Sequence, residues 1–446
     1  MLKLFLWLRY LRKKKIVFLS IAAVALSVVL LIVVASLFTG FINAFEQSAV
    51  ETIGDIVLAP PVRFAKYPLL IERLEQFRQV EAATATLSGQ GLLHLGKGNV
   101  RAVSVWGIEP VSRAEVTGFE RFLCRQKKTH LEPSFEVAGF PEKIGGFVGI
   151  GVVAEPDEET DEYDFDSAEK IIGEQVVLTT GTVAETENGE EKQFKRKTVV
   201  FTVVDIVFTG VYEVDKTFVY LPIEELQKIL YPDAEGQIAQ QIQIKLTDDA
   251  DVDVVLAQIR GLWESFAAGQ LGWGSYLIRQ TDITTSKQMQ SQYVAEFRKQ
   301  MGILLLIFGV VSFSVVLLIF CIFYMIVMTR QKDIAIIKSC GATSSSVALI
   351  FIGFGSCVGI VGSGVGTILG YIVTRNINTI EEWVRVLFGL KIWRSSVYMF
   401  SKIPNEVDWG WALVIVLSAV IASGIGALIP AIIAWRSRPV SILRYE

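Results

Sequence analysis

The chain has 446 residues, of which 52% are hydrophobic and 20% charged, and its formal net charge is −4. That balance provides no global positive field for nucleic acid, and a mean hydropathy of +0.46 is too high for an ordinary soluble chain. The two histidines, His94 and His130, stand alone, and only Cys124 of the four cysteines falls in the polar part, so neither a zinc-type ligand set nor an internal disulfide is expected there.

In chain order, Lys3, Arg9, Arg12, Lys13, Lys14 and Lys15 precede an apolar stretch at 16–41. A bilayer crossing takes about 20 residues. This stretch is too long for the apolar core of a signal peptide, so it reads as a retained anchor. Residues 42–53 continue it as an amphipathic helix. The polar stretch 54–282 reads as α+β. Its strands are expected at 100–106, 175–180, 198–208, 217–220 and 241–246, where β-branched or alternating patterns occur. Helical periodicity marks 69–79, 223–231 and 251–265.

Three features of that stretch invite a chemical reading. GLLHLGKG at 91–98 matches the start of a phosphate-binding loop, but Gly98 stands where the magnesium-holding Ser or Thr is needed, so a glycine-punctuated turn is expected. Eight carboxylates crowd 155–166. Oxygen ligands suit calcium, but the EF-hand glycine and spacing are missing, and a solvated acidic insertion is the better reading. Residues 181–197 have Asn188-Gly189 at the tip and Lys195 and Arg196 on the return arm, the pattern of a protruding hairpin.

Residues 285–300 read as a second amphipathic stalk leading into an apolar stretch at 302–328. Two more follow at 347–373 and 411–434. The segments before the first stretch, between the second and third, and after the fourth are short and basic, which places both termini and the segment near 329–346 on the cytosolic side. Gly355/Gly359 and Gly362/Gly366/Gly370 line faces of the third stretch, suited either to packing within the bundle or to a subunit interface. Pro430 with Gly424 and Gly426 suggests a kink in the last.

The segment RQKDIAIIKSCGAT at 330–343 alternates charge with Ile334, Ile336 and Ile337, as a short surface helix would, and Gly341 would end it. No Ser/His/Asp or Cys/His set has supporting context, and histidine is too scarce for general-base schemes. No catalytic centre and no cofactor of the chain's own are expected.

Lys332–Ala342 resembles the coupling loop of the permease family that includes the lipoprotein-releasing (Lol), MacB and FtsX proteins. Other stretches resemble the same family in the same order: Leu8-Arg9-Tyr10-Leu11-Arg12, Asn43-Ala44-Phe45-Glu46, Trp106-Gly107-Ile108-Glu109-Pro110, FTVVDIVFTGVYEVDKTFVY at 201–220, and PVSILRYE at 439–446. The resemblance implies a polytopic α-helical membrane protein with four transmembrane helices (1+3) and a large α+β extracytoplasmic domain between the first and second. The divisions would be 1–44, 45–300 and 301–446. It implies a separate cytosolic ABC ATPase (LolD-like) that binds the ATP, a second permease copy or paralogue, membrane lipids and a periplasmic lipoprotein carrier as partners, no nucleic acid, and an inner-membrane location. Extraction of lipoproteins is the implied function. A MacB-like exporter subunit and an FtsX-like signalling module controlling a periplasmic hydrolase are the alternatives.

On this reading Arg330, Lys332, Asp333, Ile336, Lys338, Gly341 and Ala342 couple to the ATPase. Asn43, Phe45, Glu46, Phe297 and Met301 are candidates for the rim of a lipid cavity, with stalk packing as the competing role. The hairpin residues Asn188, Gly189, Lys195 and Arg196 lie where a carrier-binding hook occurs in one Lol subtype, without the prolines typical of that hook.

Overall fold

A computed structural model describes residues 15–96, 98–129, 132–185, 192–234, 236–329, 331–339, 341 and 343–436. The chain forms two compact units. One joins residues 1–44, 294–384 and 403–446; the other joins 45–293 and 385–402.

The first helix, α1 (Lys15–Ile53), runs 39 residues without a break, so the expected span and stalk are one rod. It ends at Gly54, whose φ of +79° only glycine adopts without strain. There follow β1 (Ile56–Ala59), β2 (Phe64–Ala65), α2 (Tyr67–Glu75), β3 (Val80–His94), β4 (Val100–Ile108), α3 (Pro110–Thr117), β5 (Gly145–Gly149), β6 (Gln175–Glu185), β7 (Lys192–Val207), β8 (Phe218–Pro222), α4 (Ile223–Leu230), β9 (Ile238–Ala239), β10 (Gln241–Leu246), α5 (Val252–Gly269) and β11 (Asp282–Thr285). The expected strands and helices all appear, within a few residues of their expected limits. Between β3 and β4, Asn99 N–H donates to the Gly96 carbonyl at 2.9 Å, and Gly96 and Gly98 both have positive φ.

Strand β3 organises this unit. Its first half pairs with β10, which pairs with β1, which pairs with β11. Its second half pairs with β4 on one side and with β6 on the other. Passing from neighbour to neighbour through β4, β8, β5, β7 and β6 leads back to β3, so six strands close a barrel with no free edge. Gly91 sits at the closure. A Cβ there would lie 2.8 Å from Leu178 Cδ1 and 2.9 Å from the Thr179 carbonyl, so a side chain would push β6 away.

The strand β3 is rich in alanine, threonine and glycine, residues with little strand signal of their own apart from threonine. Its burial comes from neighbours. Leu87, Leu93, Val105, Leu178, Phe201, Val219 and Leu221 share one core with the apolar faces of α2, α4 and α5. Trp263 on α5 is buried there, edge-on to Phe64 at 5.3 Å, and its indole N–H donates to Thr281 Oγ1 at 2.9 Å.

After β11 come α6 (Ser286–Thr329), α7 (Gln331–Ser339), α8 (Ser344–Arg375), α9 (Ile377–Phe388) and α10 (Trp409–Arg436). Among the described residues four helices, α1, α6, α8 and α10, are long and apolar enough to cross a membrane. Helix α6 is a 44-residue rod that unites the second stalk and span. The helix α10 continues through Pro430.

The glycine faces of α8 serve packing inside the chain. Cβ atoms on Gly355 and Gly359 would meet Ala427 Cβ at 2.5 Å and Ser423 Cβ at 2.9 Å on α10. On Gly362 and Gly366 they would meet Val24 Cβ and Val28 Cβ of α1, each at 2.8 Å. Helix α8 thus lies between two neighbours at backbone distance, which only hydrogen side chains permit.

Candidate functional site

Helices α1 and α6 adjoin the sheet through two neighbouring strands. β1 begins three residues after α1 ends, β11 ends one residue before α6 begins, and the two strands pair antiparallel, with Ile56 opposite Thr285. Ser286 N–H donates to the Asp55 carbonyl at 3.0 Å, and the Asp55 carboxylate accepts from Leu246 N–H at 2.9 Å. Each rod therefore adjoins one of two paired strands of the sheet.

Arg113 locks this junction. The segment Trp106-Gly107-Ile108-Glu109-Pro110 builds its support: Pro110 opens α3, the N-terminal position that best tolerates proline. Three residues on, Arg113 is buried, and its guanidinium donates to the Thr52 carbonyl in the last turn of α1 and to the side-chain oxygen of Gln243 on β10. Its guanidinium carbon lies 5.2 Å from the centre of the Trp106 ring. Burial lowers its pKa to about 10, which leaves it charged at neutral pH. A cation at a helix C-terminus meets the carbonyl end of the helix dipole. Gly54 is equally confined: a Cβ would lie 2.9 Å from Val116 Cγ1. In the sequence the one signal of Arg113 is its place one helical turn after the Trp106–Pro110 motif.

At the opposite end of the long helices, α7 forms the expected short helix and Gly341 follows it with φ +94°. Ile334 and Ala335 are buried, whereas Ile336 is 52% exposed. Lys338 Nζ donates to the carbonyls of Ala434 and Trp435, both at 2.9 Å, and so caps the C-terminal end of α10. Lys332 and Asp333 lie on α7 with side chains outside the described set, and Arg330 and Ala342 lie outside the described residues.

Of the lipid-rim candidates, Asn43, Phe45 and Glu46 lie on α1 and Phe297 and Met301 on α6. Phe297 meets Phe41 edge-on at 4.9 Å, a contact between α6 and α1. Phe45 is buried, Asn43 is exposed, and Glu46 and Met301 are half-buried. A cavity of about 290 Å³ lies elsewhere, among α1, α6 and α10. It is lined by Val28, Phe313 and Val316 with Ser418 and Ser423, and Ser27 and Ser312 hydrogen-bond at 2.7 Å on its wall.

β6 and β7 form the expected hairpin in register from Gln175↔Thr202 to Glu185↔Lys192. Its tip, with Asn188 and Gly189, lies outside the described residues, as does the Lys195 side chain. Arg196 is exposed and lines a surface hollow of about 630 Å³ with Leu92, Ala102 and Thr179.

The acidic insertion uses its carboxylates locally. Asp157 accepts from Thr160 N–H at 2.8 Å and Glu159 N–H at 3.0 Å, and the Thr160 bond holds it below the usual carboxylate range. Asp164 caps a short helical turn through Ser167 N–H at 3.1 Å. Glu155 pairs with Arg101 at 2.6 Å. Among the described residues no cluster of three or more acids, histidines or cysteines could hold a metal ion. The turn also receives the segment that joins α9 to α10. Ser395 N–H donates to Asp161 Oδ2 at 2.7 Å, and Lys391 Nζ donates to the Thr160 carbonyl. Alongside, Tyr212 N–H donates to the Met399 carbonyl at 2.9 Å and Val211 bridges Phe400.

Comparison with known proteins matches residues 17–262 to the MacB-like periplasmic core domain and residues 305–439 to the FtsX-like permease C-terminal family. The lipoprotein-releasing system transmembrane protein LolC of Neisseria meningitidis serogroup B is 27% identical over 100% of this chain and 99% of its own length. LolE of Haemophilus influenzae is 25% identical over 95% of this chain and 93% of its own length. Among solved structures, the periplasmic region of MacB from Actinobacillus actinomycetemcomitans is 14% identical, covers 55% of this chain and 95% of its own, and has a TM-score of 0.32.

Proposed function

The chain belongs to the family that carries the MacB-like periplasmic core domain, and from that premise we propose that it is the permease subunit of a lipoprotein-releasing ABC transporter. Helices α1, α6, α8 and α10 cross the inner membrane in a 1+3 arrangement, with both termini in the cytosol and the α+β domain in the periplasm. The basic flanks of the short inner segments support that orientation. Exposed apolar side chains along α6, among them Leu306, Val310, Phe313 and Leu317, are surface that lipid and a second permease subunit would cover.

The observation that carries the reading is the junction. Two membrane-length rods enter paired strands of a domain whose full-length relatives are named for lipoprotein release. ATP is bound and hydrolysed by a separate cytosolic ATPase docked on residues 330–342, where Ile336 offers an exposed apolar contact and Arg330, Lys332 and Asp333 offer charge. Lys338 ties that docking segment to the end of α10, so a push on α7 also moves the last span. The rods α1 and α6 carry the movement to β1 and β11, and the domain's displacement lifts lipoproteins from the outer leaflet toward a periplasmic carrier. The chain supplies no catalytic group and no cofactor.

The test is depletion of the protein in its native host, followed by separation of inner and outer membranes and a census of lipoproteins. Mature lipoproteins stranded in the inner membrane, reproduced by Asp333→Lys, are the expected result. Correctly sorted lipoproteins would overturn the reading in favour of export or hydrolase control.

A further inference from the structure

Helix α9 has two unlike faces. Ile380, Trp383 and Leu387 follow one another at spacings of three and four residues and are 39%, 68% and 72% exposed. Val386 and Phe388 widen the stripe, and Leu390 just beyond the helix extends it. Glu381, Glu382 and Arg385 occupy the remaining surface. A stripe of this size left open to water is unstable, and the charged remainder fits a helix that lies flat at an apolar boundary.

Its position along the chain says which boundary. α9 begins two residues after α8, a membrane-length helix, ends at Arg375. Tyr371 near that end stacks on Trp409 at the start of α10, with ring centres 5.8 Å apart, and Trp411 follows. Tyrosine and tryptophan gather where a bilayer meets water. Asn378 fixes the start of α9 to the returning chain through two bonds with Ile403, its amide donating to the Ile403 carbonyl at 3.0 Å and its oxygen accepting from Ile403 N–H at 2.9 Å. The apolar stripe thus starts at the same end of the spans as that aromatic pair.

The chain beyond α9 is held elsewhere. Gly389 ends the helix with φ +64°, and residues 391–400 fold on themselves through the stacked Trp393 and Tyr398, 4.1 Å apart. Asp161, Thr160 and Tyr212 grip this segment by the bonds described above. The neighbouring Arg385 also helps to hold Asp157 in its ionised form. The acidic turn therefore has a partner inside the chain.

We propose that α9 is an interfacial helix whose Trp383/Leu387 face is seated in the outer leaflet of the membrane, and that the acidic turn at 157–161 clasps its C-terminal extension to the external domain. The proposal rests on the membrane-spanning reading above.

The test uses the full-length protein in nanodiscs, with Cys124, Cys321, Cys340 and Cys357 replaced by serine and a single bimane-labelled cysteine introduced. The positions are Leu387→Cys, Trp383→Cys as a second site on the same face, Glu382→Cys on the polar side and Leu417→Cys within α10. Phosphatidylcholine carrying a shallow doxyl group is the quencher. At least twofold quenching at 387 and 383, little at 382, and quenching of 417 by deep doxyl groups is the expected pattern. If 417 is quenched while 387 and 383 are not, the helix does not lie in lipid, and the proposal falls whether water, a second copy or a carrier covers the face. If 417 also escapes quenching, the membrane-spanning reading fails first and takes the proposal with it.

Discussion

The Arg113 guanidinium donates to the Thr52 carbonyl, joining a helix of the α+β domain to the last turn of a rod that extends back to Lys15. Ile56, three residues beyond the end of that helix, pairs with Thr285 on the strand that precedes the second long helix.

Arg113→Lys retains the charge but replaces the two guanidinium nitrogens that donate separately to Gln243 and Thr52 by a single ammonium nitrogen, which is expected to leave one acceptor poorly paired. It is expected to cost about 1–3 kcal/mol, because a buried acceptor is left unpaired. Arg113→Ala also loses the packing against Trp106, and roughly 2–4 kcal/mol is expected. Thermal unfolding of the detergent-solubilised chain measures both. Unchanged melting in both variants would remove Arg113 from the account of the junction.

Gly366 and Gly364 differ by two positions on α8 and face opposite consequences. A Cβ at 366 would lie 2.8 Å from the Ala25 carbonyl, whereas nothing lies within 4 Å of one at 364. Gly366→Ala should destabilise the bundle by about 1–3 kcal/mol through overpacking. Gly364→Ala should be neutral or stabilising, since alanine favours helix by about 0.5–1 kcal/mol over glycine. Melting and detergent resistance of the two variants check this; equal behaviour would contradict the packing of α1 on α8.

Asp215 sets a pH dependence. Burial raises its pKa from 3.8 to about 7, although Thr209 N–H at 2.7 Å, Thr209 Oγ at 2.8 Å and Gly210 N–H at 3.0 Å favour the charged form. Between those two values the folded state keeps a proton that the unfolded chain has lost, so stability falls as pH rises through the window. The contribution is fully present below about pH 4 and absent above about pH 7; at about 1.4 kcal/mol per pKa unit its ceiling is about 4 kcal/mol. Asp205, also raised by burial, contributes with the same sign. Asp215→Asn should flatten the decline in melting temperature between pH 4.5 and 7.5. An unchanged slope would assign the effect to other groups.

Asp161 tests the clasp on residues 391–400. It has φ +54°, a conformation that glycine and asparagine accept. Asp161→Gly removes the acceptor for Ser395 N–H without adding strain. Losing a bond to a charged acceptor, about 1.5–3 kcal/mol, should raise the open population about tenfold or more. Tryptic cleavage after Lys391 and Arg394 should accelerate accordingly, and Asp161→Asn, which keeps an oxygen, should change it less. Equal cleavage in all three proteins would show that the contact holds nothing.

Elements near the candidate site are legible in the sequence where local pattern decides them. The charge alternation around Ile334–Ile337 and the glycine at 341 mark a short helix and its end, because propensity and capping act within a turn or two. The hairpin at 175–207 was equally readable, since Asn188-Gly189 sits between two β-rich runs. Arg113 was not, because a lone arginine in a polar stretch reads as surface until the fold supplies its acceptors.

The sequence by itself determined the four apolar rods, the basic flanks, the strands with β-branched runs and the helical ends, all of which depend on residues within a few positions of each other. Only the tertiary structure decided the rest. Closure of the barrel needs residues 91–94 of β3 paired with both β4 and β6. The destination of the α8 glycines depends on α1, more than three hundred residues away in the chain. The role of the acidic turn depends on residues 391–395. Each is a contact between distant segments, and distance along the chain erases the periodic signal that makes helices and hairpins readable.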